Sequence, residues 1–264
     1  NIKIFCVTNK RIPYLENSKL ILAGVGKENF SNKYLKSNYG NNIEYKEKFY
    51  SELVFHYWYW KNALYKEEQN SWIGFSQKRR FWIKSSSEKV KINSNNLIDN
   101  ILLYPEQDWS NYDSIICKPI TVSGSKKMKI IKRGWRNLIK QPSILFDNKK
   151  QTIEFHFDLF HGYKNLHNAI NLMDEPDKSE FKNYVSTKNY FNPNIMFIAR
   201  PDVIEKWFLK LFIWLEKCEK IFPFESLKGY DTGRIFAYLA ERYLSFWFKK
   251  YTNYKEHPWT FVDN

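Results

Sequence analysis

Four short apolar runs rich in β-branched and aromatic residues are spaced through the chain: "IKIFCV" (2–7), "SWIGF" (71–75), "YDSIICKP" (112–119) and "NIMFIA" (194–199). Each has the length and composition of a buried strand. Between them lie stretches with helical spacing. Alternation of this kind constrains the chain to an α/β layer structure with a mostly parallel central sheet flanked by helices. In such sheets ligands sit at the carboxyl ends of the strands. A parallel sheet would therefore make Thr8-Asn9-Lys10, Gln77 to Arg80 and Lys118 neighbours in one crevice.

The second run has an unusual continuation. In "WIGFSQKRRFW" (72–82) an apolar strand meets Lys78, Arg79 and Arg80 before Phe81 and Trp82 return to aromatic. Residues 80–84, "RFWIK", read as a further strand. Upstream, "YSELVFHYWYWKNALYK" (50–66) reads as a largely buried helix with Ser51 as N-cap and Glu52 in its first turn. A strand is the competing reading, because its aromatics favour sheets. Helices are expected at 94–103, 163–172, 201–220 and 234–251, and residues 15–38 read as loop. The segment 120–142 reads as a basic surface insertion. No repeat or linker divides the chain, so residues 1–264 read as one domain.

A chain of 264 residues that is 43% hydrophobic and 19% aromatic can bury a sizeable core. Its formal charge of +14, from 42 Lys and Arg against 28 Asp and Glu, favours anionic partners: nucleic acid, lipid headgroups or phosphorylated small molecules. A lysine- and asparagine-biased composition accounts for part of that charge equally well. Cys6, Cys117 and Cys218 are odd in number and far apart, which excludes a disulfide framework and a cysteine zinc site and fits a reducing cytosol. The stretch "NIKIFCVTNKRIPYL" has the reverse order of a signal peptide. The most apolar later stretch is cut by Arg200, Asp202, Glu205, Lys206 and Lys210, so nothing reads as spanning a bilayer.

Several common motifs are absent. Gly24-Val25-Gly26 begins a dinucleotide fingerprint, but position 29 is Asn. Gly26-Lys27 lacks the upstream glycine of a phosphate loop, and there is no nucleophile elbow. His156, Asp158 and His161 are either a metal set or ordinary polar residues near a strand end. The stripe Phe236, Leu239, Tyr243 and Phe246 has helical spacing and reads as core.

"FYSELVFHYWYWKN" followed by "WIGFSQKRRFW" resembles a bacterial family first catalogued as a domain of unknown function (DUF4422-type) and grouped with polysaccharide glycosyltransferases. It includes galactofuranosyltransferases of O-antigen and capsule assembly. The family's Ser-Glu-Leu, Tyr-Trp-x-Trp-Lys-Asn and Ile-Gly…Arg-Arg blocks fall on Ser51, Glu52, Leu53, Tyr57, Trp58, Trp60, Lys61, Asn62, Ile73, Gly74, Arg79 and Arg80. "KIFCVTNK", "YDSIICKP", "NPNIMFIAR" and "YDTGRIFAYLAERYL" are similar to its other elements. Gln77 and Lys78 replace its His-Tyr, Asn9 replaces a His, and Asn165 stands where the family tends to carry Asp.

The resemblance implies a single GT-A-type nucleotide-binding domain. It also implies transfer of a sugar from a UDP-hexose or UDP-galactofuranose type donor to a growing capsule or lipopolysaccharide glycan, with inversion. Single-domain sugar-nucleotide enzymes commonly hold the diphosphate through an Asp-x-Asp pair and a divalent ion. This chain has no such pair; its nearest analogues are Glu106-Gln107-Asp108 and Glu175-Pro176-Asp177. Cations at 78–80 can neutralise the departing diphosphate instead, since guanidinium groups bind phosphate oxygens in a bidentate fork and stay charged. Arg79 and Arg80, with Lys78 and with Arg234 or Arg242, are then the diphosphate residues, and no metal is required, Mn or Mg being the alternative.

If 79–80 is extended, its side chains point to opposite faces and one of the pair is structural, for instance in a salt bridge to Glu52. Thr8, Asn9 and Lys10 are the donor base and ribose candidates, and Ser51, Glu52, Lys61 and Asn62 complete the donor set. The aromatic rings of Tyr57, Trp58 and Trp60 read as core. An inverting transferase needs a general base. Asp158, Asp231 and Glu241 are the candidates, and Asp158 is favoured because it follows an expected strand. His161 and Asn194 are the acceptor candidates.

The expected partners are a nucleotide sugar and a glycan or lipid-linked acceptor. An anionic membrane surface would meet Lys126, Lys127, Lys129, Lys132, Arg133, Trp135, Arg136 and Lys140. A solvated basic loop explains those residues equally well. The expected location is the cytoplasm, peripheral on the inner face of the plasma membrane. The alternative reading from another class is a nucleic-acid-binding module built on basic and aromatic residues, although no recognition motif is present. A non-catalytic carbohydrate-binding protein is the third.

Overall fold

The computed structural model describes residues 1–125 and 127–263, so Lys126 of the basic segment lies outside the described residues. In chain order the strands are β1 (Ile2–Thr8), β2 (Ile21–Gly24), β3 (Leu35–Lys36), β4 (Trp72–Gln77), β5 (Arg80–Trp82), β6 (Ser114–Cys117), β7 (Ile120–Thr121), β8 (Tyr190–Phe191), β9 (Phe197–Ala199), β10 (Tyr254–His257) and β11 (Trp259–Phe261). The helices are α1 (Glu47–Tyr50), α2 (Leu53–Asn62), α3 (Leu97–Asn100), α4 (Lys127–Lys140), α5 (Ile153–His161), α6 (Asn165–Ile170), α7 (Asp177–Thr187), α8 (Pro201–Glu219), α9 (Gly229–Gly233) and α10 (Ile235–Tyr251). The chain divides into two compact units: residues 1–118, 194–210 and 247–264, and residues 119–193 and 211–246.

The first unit holds the central sheet, ordered β10-β6-β9-β4-β1-β2-β3. The pairs β1–β2, β1–β4, β2–β3 and β6–β10 are parallel, and β9 runs against both β4 and β6. This is the mixed α/β, mostly parallel sheet expected from the strand-and-helix alternation. Side chains alternate across it with period two. Phe5, Phe75 and Phe197 share one face, where α2 covers them through Phe55 and Tyr59 and α8 through Phe208. Ile4, Cys6, Leu22, Trp72, Ile115, Cys117 and Ile198 share the other, packed with Leu15, Phe30, Trp82, Leu97 and Trp109. At Gly74 a Cβ would come within 2.8 Å of Ile198, so a bare backbone is what lets β4 lie between β1 and β9 under the large side chains of both.

The second unit is mainly helical, with one two-stranded ladder pairing Ile120 with Phe191 and Thr121 with Tyr190. Phe181 packs against Trp214, Tyr243 and Phe246. A separate cluster of Ile130, Ile144, Phe155 and Leu159 joins α4 to α5. Here Gly134 permits the close approach, since a Cβ would meet Leu159 at 2.8 Å.

Several elements differ from the sequence expectation, each for a local reason. The strand expected just before Asp158 is not there: the segment belongs to α5, which runs from Ile153 through Asp158 to His161. Its apolar and polar residues alternate, which mimics a strand, but the Thr152 hydroxyl caps the Phe155 amide at 3.3 Å and starts a helix. The helix expected at 94–103 shrinks to α3 because Asn93 and Asn96 accept from nearby backbone amides and hold turns. The loop expected at 15–38 contains β2 and β3. Among the described residues no helix is long and apolar enough to cross a membrane.

His56, on α2, sits against Phe75, Phe197 and Phe208 with ring centroids 4.4, 6.0 and 5.6 Å away. Its Nδ1 is buried without a hydrogen-bond partner, and burial pushes its pKa down from 6.5 to about 3. The folded state thus keeps His56 neutral, while the unfolded chain takes up a proton near pH 6.5. Its contribution is complete above that pH and is lost as pH falls toward 3. The Tm should therefore drop between pH 6.5 and pH 4 more steeply for the wild type than for His56→Leu. Equal slopes in thermal melts would contradict this placement.

Candidate functional site

The carboxyl ends of β1, β2 and β4 lie side by side because these strands are parallel and in register, with Thr8 opposite Gly24 and Val7 opposite Gln77. Thr8 is 2% exposed, its carbonyl accepts from the Val25 amide at 2.9 Å, and its hydroxyl accepts from the Lys10 amide at 3.1 Å. The chain therefore turns sharply after β1 and presents Asn9 at the edge. Asn9 links two elements: its Oδ1 accepts from Lys78 Nζ at 2.8 Å, and its Nδ2 donates to Glu47 at 3.5 Å. Gln77 donates to Glu52 and accepts from Arg80 at 3.2 Å. Glu44 accepts from the Gly26 amide and, at 2.9 Å, from Ser37. Burial raises the pKa of Glu44, and neighbouring Glu47 adds to the rise. The result is a polar crevice in which amide side chains separate carboxylates from cations.

Lys78 and Arg79 form a two-residue turn between β4 and β5, with Gln77 paired to Arg80. The turn removes the strict face alternation expected of an extended 79–80 segment. Both guanidinium groups lie beside the ring of Phe261, at 5.2 Å for Arg79 and 5.6 Å for Arg80. The Val262 amide donates to the Arg79 carbonyl at 2.9 Å and fixes the turn against β11. The salt bridge to Glu52 considered for one of the pair does not form, because Glu52 accepts from Gln77 instead. Arg79 faces Asp263 at 3.6 Å, with side chains 39% and 82% exposed; a pair this open contributes little and leaves the guanidinium accessible. Its Nε is buried with no hydrogen-bond partner.

Ser51 does not cap α2. It lies in the link from α1 to α2 with φ 53° and ψ −133°, its amide donating to the Glu47 carbonyl at 2.8 Å. Glu52 takes the cap position without a side-chain capping bond. Lys61 and Asn62 lie at the other end of α2, about 14 Å along its axis. Asn62 there ties Asn41 and the Trp58 carbonyl together, and Lys61 stacks on Trp60 at 3.2 Å. Lys118 shares the carboxyl edge of the sheet but is separated from Gln77 by β9, roughly two strand spacings or 10 Å, and pairs with Glu88. Asn194, 6% exposed with φ 68°, precedes β9 in the first unit. The crevice thus gathers Thr8, Asn9, Lys10, Glu52, Lys78, Arg79 and Arg80. Glu44, Glu47 and Phe261 join it without any sequence pattern marking them.

The remaining candidates belong to the second unit. Arg242 is 2% exposed; it pairs with Glu241, covers Phe191 at 4.1 Å and donates to His156 Nδ1 at 3.4 Å. His161 stacks on Tyr238 at 3.8 Å and lies 3.0 Å from the Asp231 carbonyl, which requires the Nδ1–H tautomer. Burial and the Arg242 charge push His156 and His161 down to about 3, so both are neutral near pH 7. The Asp231 carboxylate pairs with Arg133 at 2.9 Å, and Arg234 lies 5.7 Å from the Tyr230 ring. Asp158, on α5 rather than after a strand, accepts from Asn137 at 3.0 Å and from the Lys164 amide at 2.8 Å. Burial raises its pKa, with Glu154 adding to the rise. It lines a cavity of about 710 Å³ together with Lys140, Lys150, Glu154, Tyr163 and His167.

Among the described residues no three His, Cys, Asp or Glu side chains group as metal ligands. Of the acid pairs nearest to Asp-x-Asp, Glu106 binds Ser85 at 2.8 Å, Asp108 binds Lys255, Glu175 binds Ser179 at 2.9 Å, and Asp177 accepts from Tyr243 at 3.3 Å.

A family model described as "Domain of unknown function (DUF4422)" matches residues 3–253. The fold is similar to the apo structure of WbbM, a bifunctional glycosyltransferase, with a TM-score of 0.67 at 19% sequence identity. The match covers 100% of this chain and 46% of that one, so this chain spans about half the length of its structural relative. No curated protein matches the sequence.

The Ser51 backbone occupies a region that favours glycine, at a corner beside the crevice. Ser51→Gly should raise stability by about 1 kcal/mol in urea denaturation. A loss of stability would show that the Ser51 side chain, not the backbone geometry, dominates at this corner.

Proposed function

This chain belongs to the DUF4422 family, and on that premise we propose that it is a glycosyltransferase that moves a sugar from a nucleotide diphosphate sugar to a glycan. The observation that carries the reading is the cationic turn Lys78-Arg79-Arg80 at the carboxyl edge of a parallel sheet, beside Thr8 and Asn9. Ligands of open α/β sheets bind at this edge. The likeness to WbbM extends the fold comparison to a glycosyltransferase.

In this account the nucleoside meets Thr8, Asn9 and Lys10, and the diphosphate meets Arg79 and Arg80. Glycosyl transfer leaves negative charge on the departing diphosphate. Guanidinium groups fixed in advance stabilise that charge in the transition state without reorganising. Phe261 holds both planes in place, and the open Asp263 contact yields readily to phosphate oxygens. Metal is not required, because these fixed charges take the role a divalent ion has elsewhere. We assign the donor to the UDP-hexose or UDP-galactofuranose class, and the acceptor to a growing capsule or lipopolysaccharide glycan, free or lipid-linked, with inversion.

The three acids considered as general base all lie in the second unit, where Asp158 differs from the others in environment. Its raised pKa moves it toward the operating pH, whereas Asp231 and Glu241 each pair with an arginine. The acceptor contact assigned to Asn194, in the first unit, belongs to the same proposal.

Replacing Arg79 and Arg80 together with Ala should lower the rate of nucleotide release from nucleotide sugars by about 10²–10³. The circular dichroism spectrum should stay that of the wild type. Undiminished turnover in this variant would end the proposal. Sugar binding without turnover in the wild type would favour the carbohydrate-binding reading, and tight, salt-sensitive oligonucleotide binding without nucleotide-sugar binding the nucleic-acid one. Chelation by EDTA should leave the rate within about twofold. Complete loss, restored by manganese, would assign the diphosphate to a metal instead.

A further inference from the structure

Helix α4 carries one broad apolar face, and the second unit covers only part of it. Ile130 and Gly134 are buried against α5, with Leu138 packed on the same cluster. The adjoining part shows Met128, Ile131, Trp135 and Ile139, exposed by 76, 48, 51 and 72%. Their spacing of three, four and four residues sets all four within roughly 80° of arc at 100° per residue. Phe146, 80% exposed, extends the patch, since Lys127 reaches over its ring at 5.3 Å.

The same helix holds six Lys and Arg residues and no acidic one. On the helical projection Lys132 and Arg136 border the exposed stripe on one side, and on the other Leu138 and then Lys127 follow. Arg136 lies 5.2 Å from the Trp135 ring. A stripe of large apolar side chains in water, edged by long cationic ones, matches a helix lying in the plane of a membrane interface: the apolar residues enter the acyl boundary and the cations stay with the headgroups. Uniform positive charge selects an anionic surface over a zwitterionic one.

We propose that α4 docks this protein on an anionic lipid bilayer, with Trp135 and Ile139 at the centre of the inserted face. This is independent of the glycosyl-transfer reading, and the binding is measured without turnover. The wild type should co-sediment with phosphatidylglycerol-containing vesicles at least tenfold more strongly than with pure phosphatidylcholine vesicles. The double variant Trp135→Glu, Ile139→Glu should lose at least tenfold of that partition while keeping the wild-type circular dichroism spectrum, because Ile139 is largely and Trp135 half exposed. Lys132→Glu with Arg136→Glu, which leaves the stripe intact, should lose the preference for anionic lipid. Unchanged partition in the stripe variant, or equal partition to both vesicle types, would overturn the proposal. So would a wild-type dimer that the stripe variant converts to monomer, with no vesicle binding, which would assign the face to a second copy of this chain.

Discussion

The parallel pairing of β1 with β4, from Ile2 opposite Trp72 to Val7 opposite Gln77, is the constraint on which the rest of the first unit depends. That register stacks Phe5 beside Phe75 under α2 and puts Ile4 and Cys6 into the opposite layer. It also ends both strands at the same level, which sets Thr8-Asn9-Lys10 beside the 78–80 turn. A slip by one residue would turn every side chain of one strand to the wrong layer and break the crevice at the same time. Core and candidate site are therefore fixed by one set of hydrogen bonds.

The crevice balances charges that would otherwise repel. Lys78, Arg79 and Arg80 are consecutive, yet each has a different neighbour: Asn9, Asp263 and Gln77. The acids Glu47 and Glu52 meet amides rather than the arginines directly. Neutral amides between opposite charges keep the guanidinium groups oriented without neutralising them. Direct burial against a carboxylate would have exchanged that readiness for a closed ion pair, as happens to Arg242 beside Glu241. The two kinds of arginine in this chain thus have opposite environments, one half-exposed on an aromatic support and one enclosed among Phe191, Phe157 and His156.

The sheet was legible in the sequence where hydrophobic runs were long enough to specify it. The segments 2–7, 71–75 and 112–119 each contain a strand, and 201–220 and 234–251 each contain a long helix. The Ile21–Gly24 strand was not legible, because four residues beside a glycine carry no period. The strand expected before Asp158 is a helix, because Ile153, Phe155 and Phe157 alternate with polar residues as a strand would, and only the cap distinguishes the two. Within the crevice, the cations were visible as a cluster in the chain. Glu44, Glu47 and Phe261 were not, since nothing local links them to residues 78–80; the fold alone brings them there. Arg242 shows the converse, where a motif-matched residue is enclosed in the core of its unit.

Whether the 78–80 turn binds a leaving diphosphate is decided by a crystal structure of the chain with a nucleoside diphosphate. Phosphate oxygens should lie within about 3.2 Å of the Arg79 and Arg80 guanidinium nitrogens, with the Asp263 contact displaced. Phosphates bound elsewhere, with both arginines unmoved beside Phe261, would contradict that role.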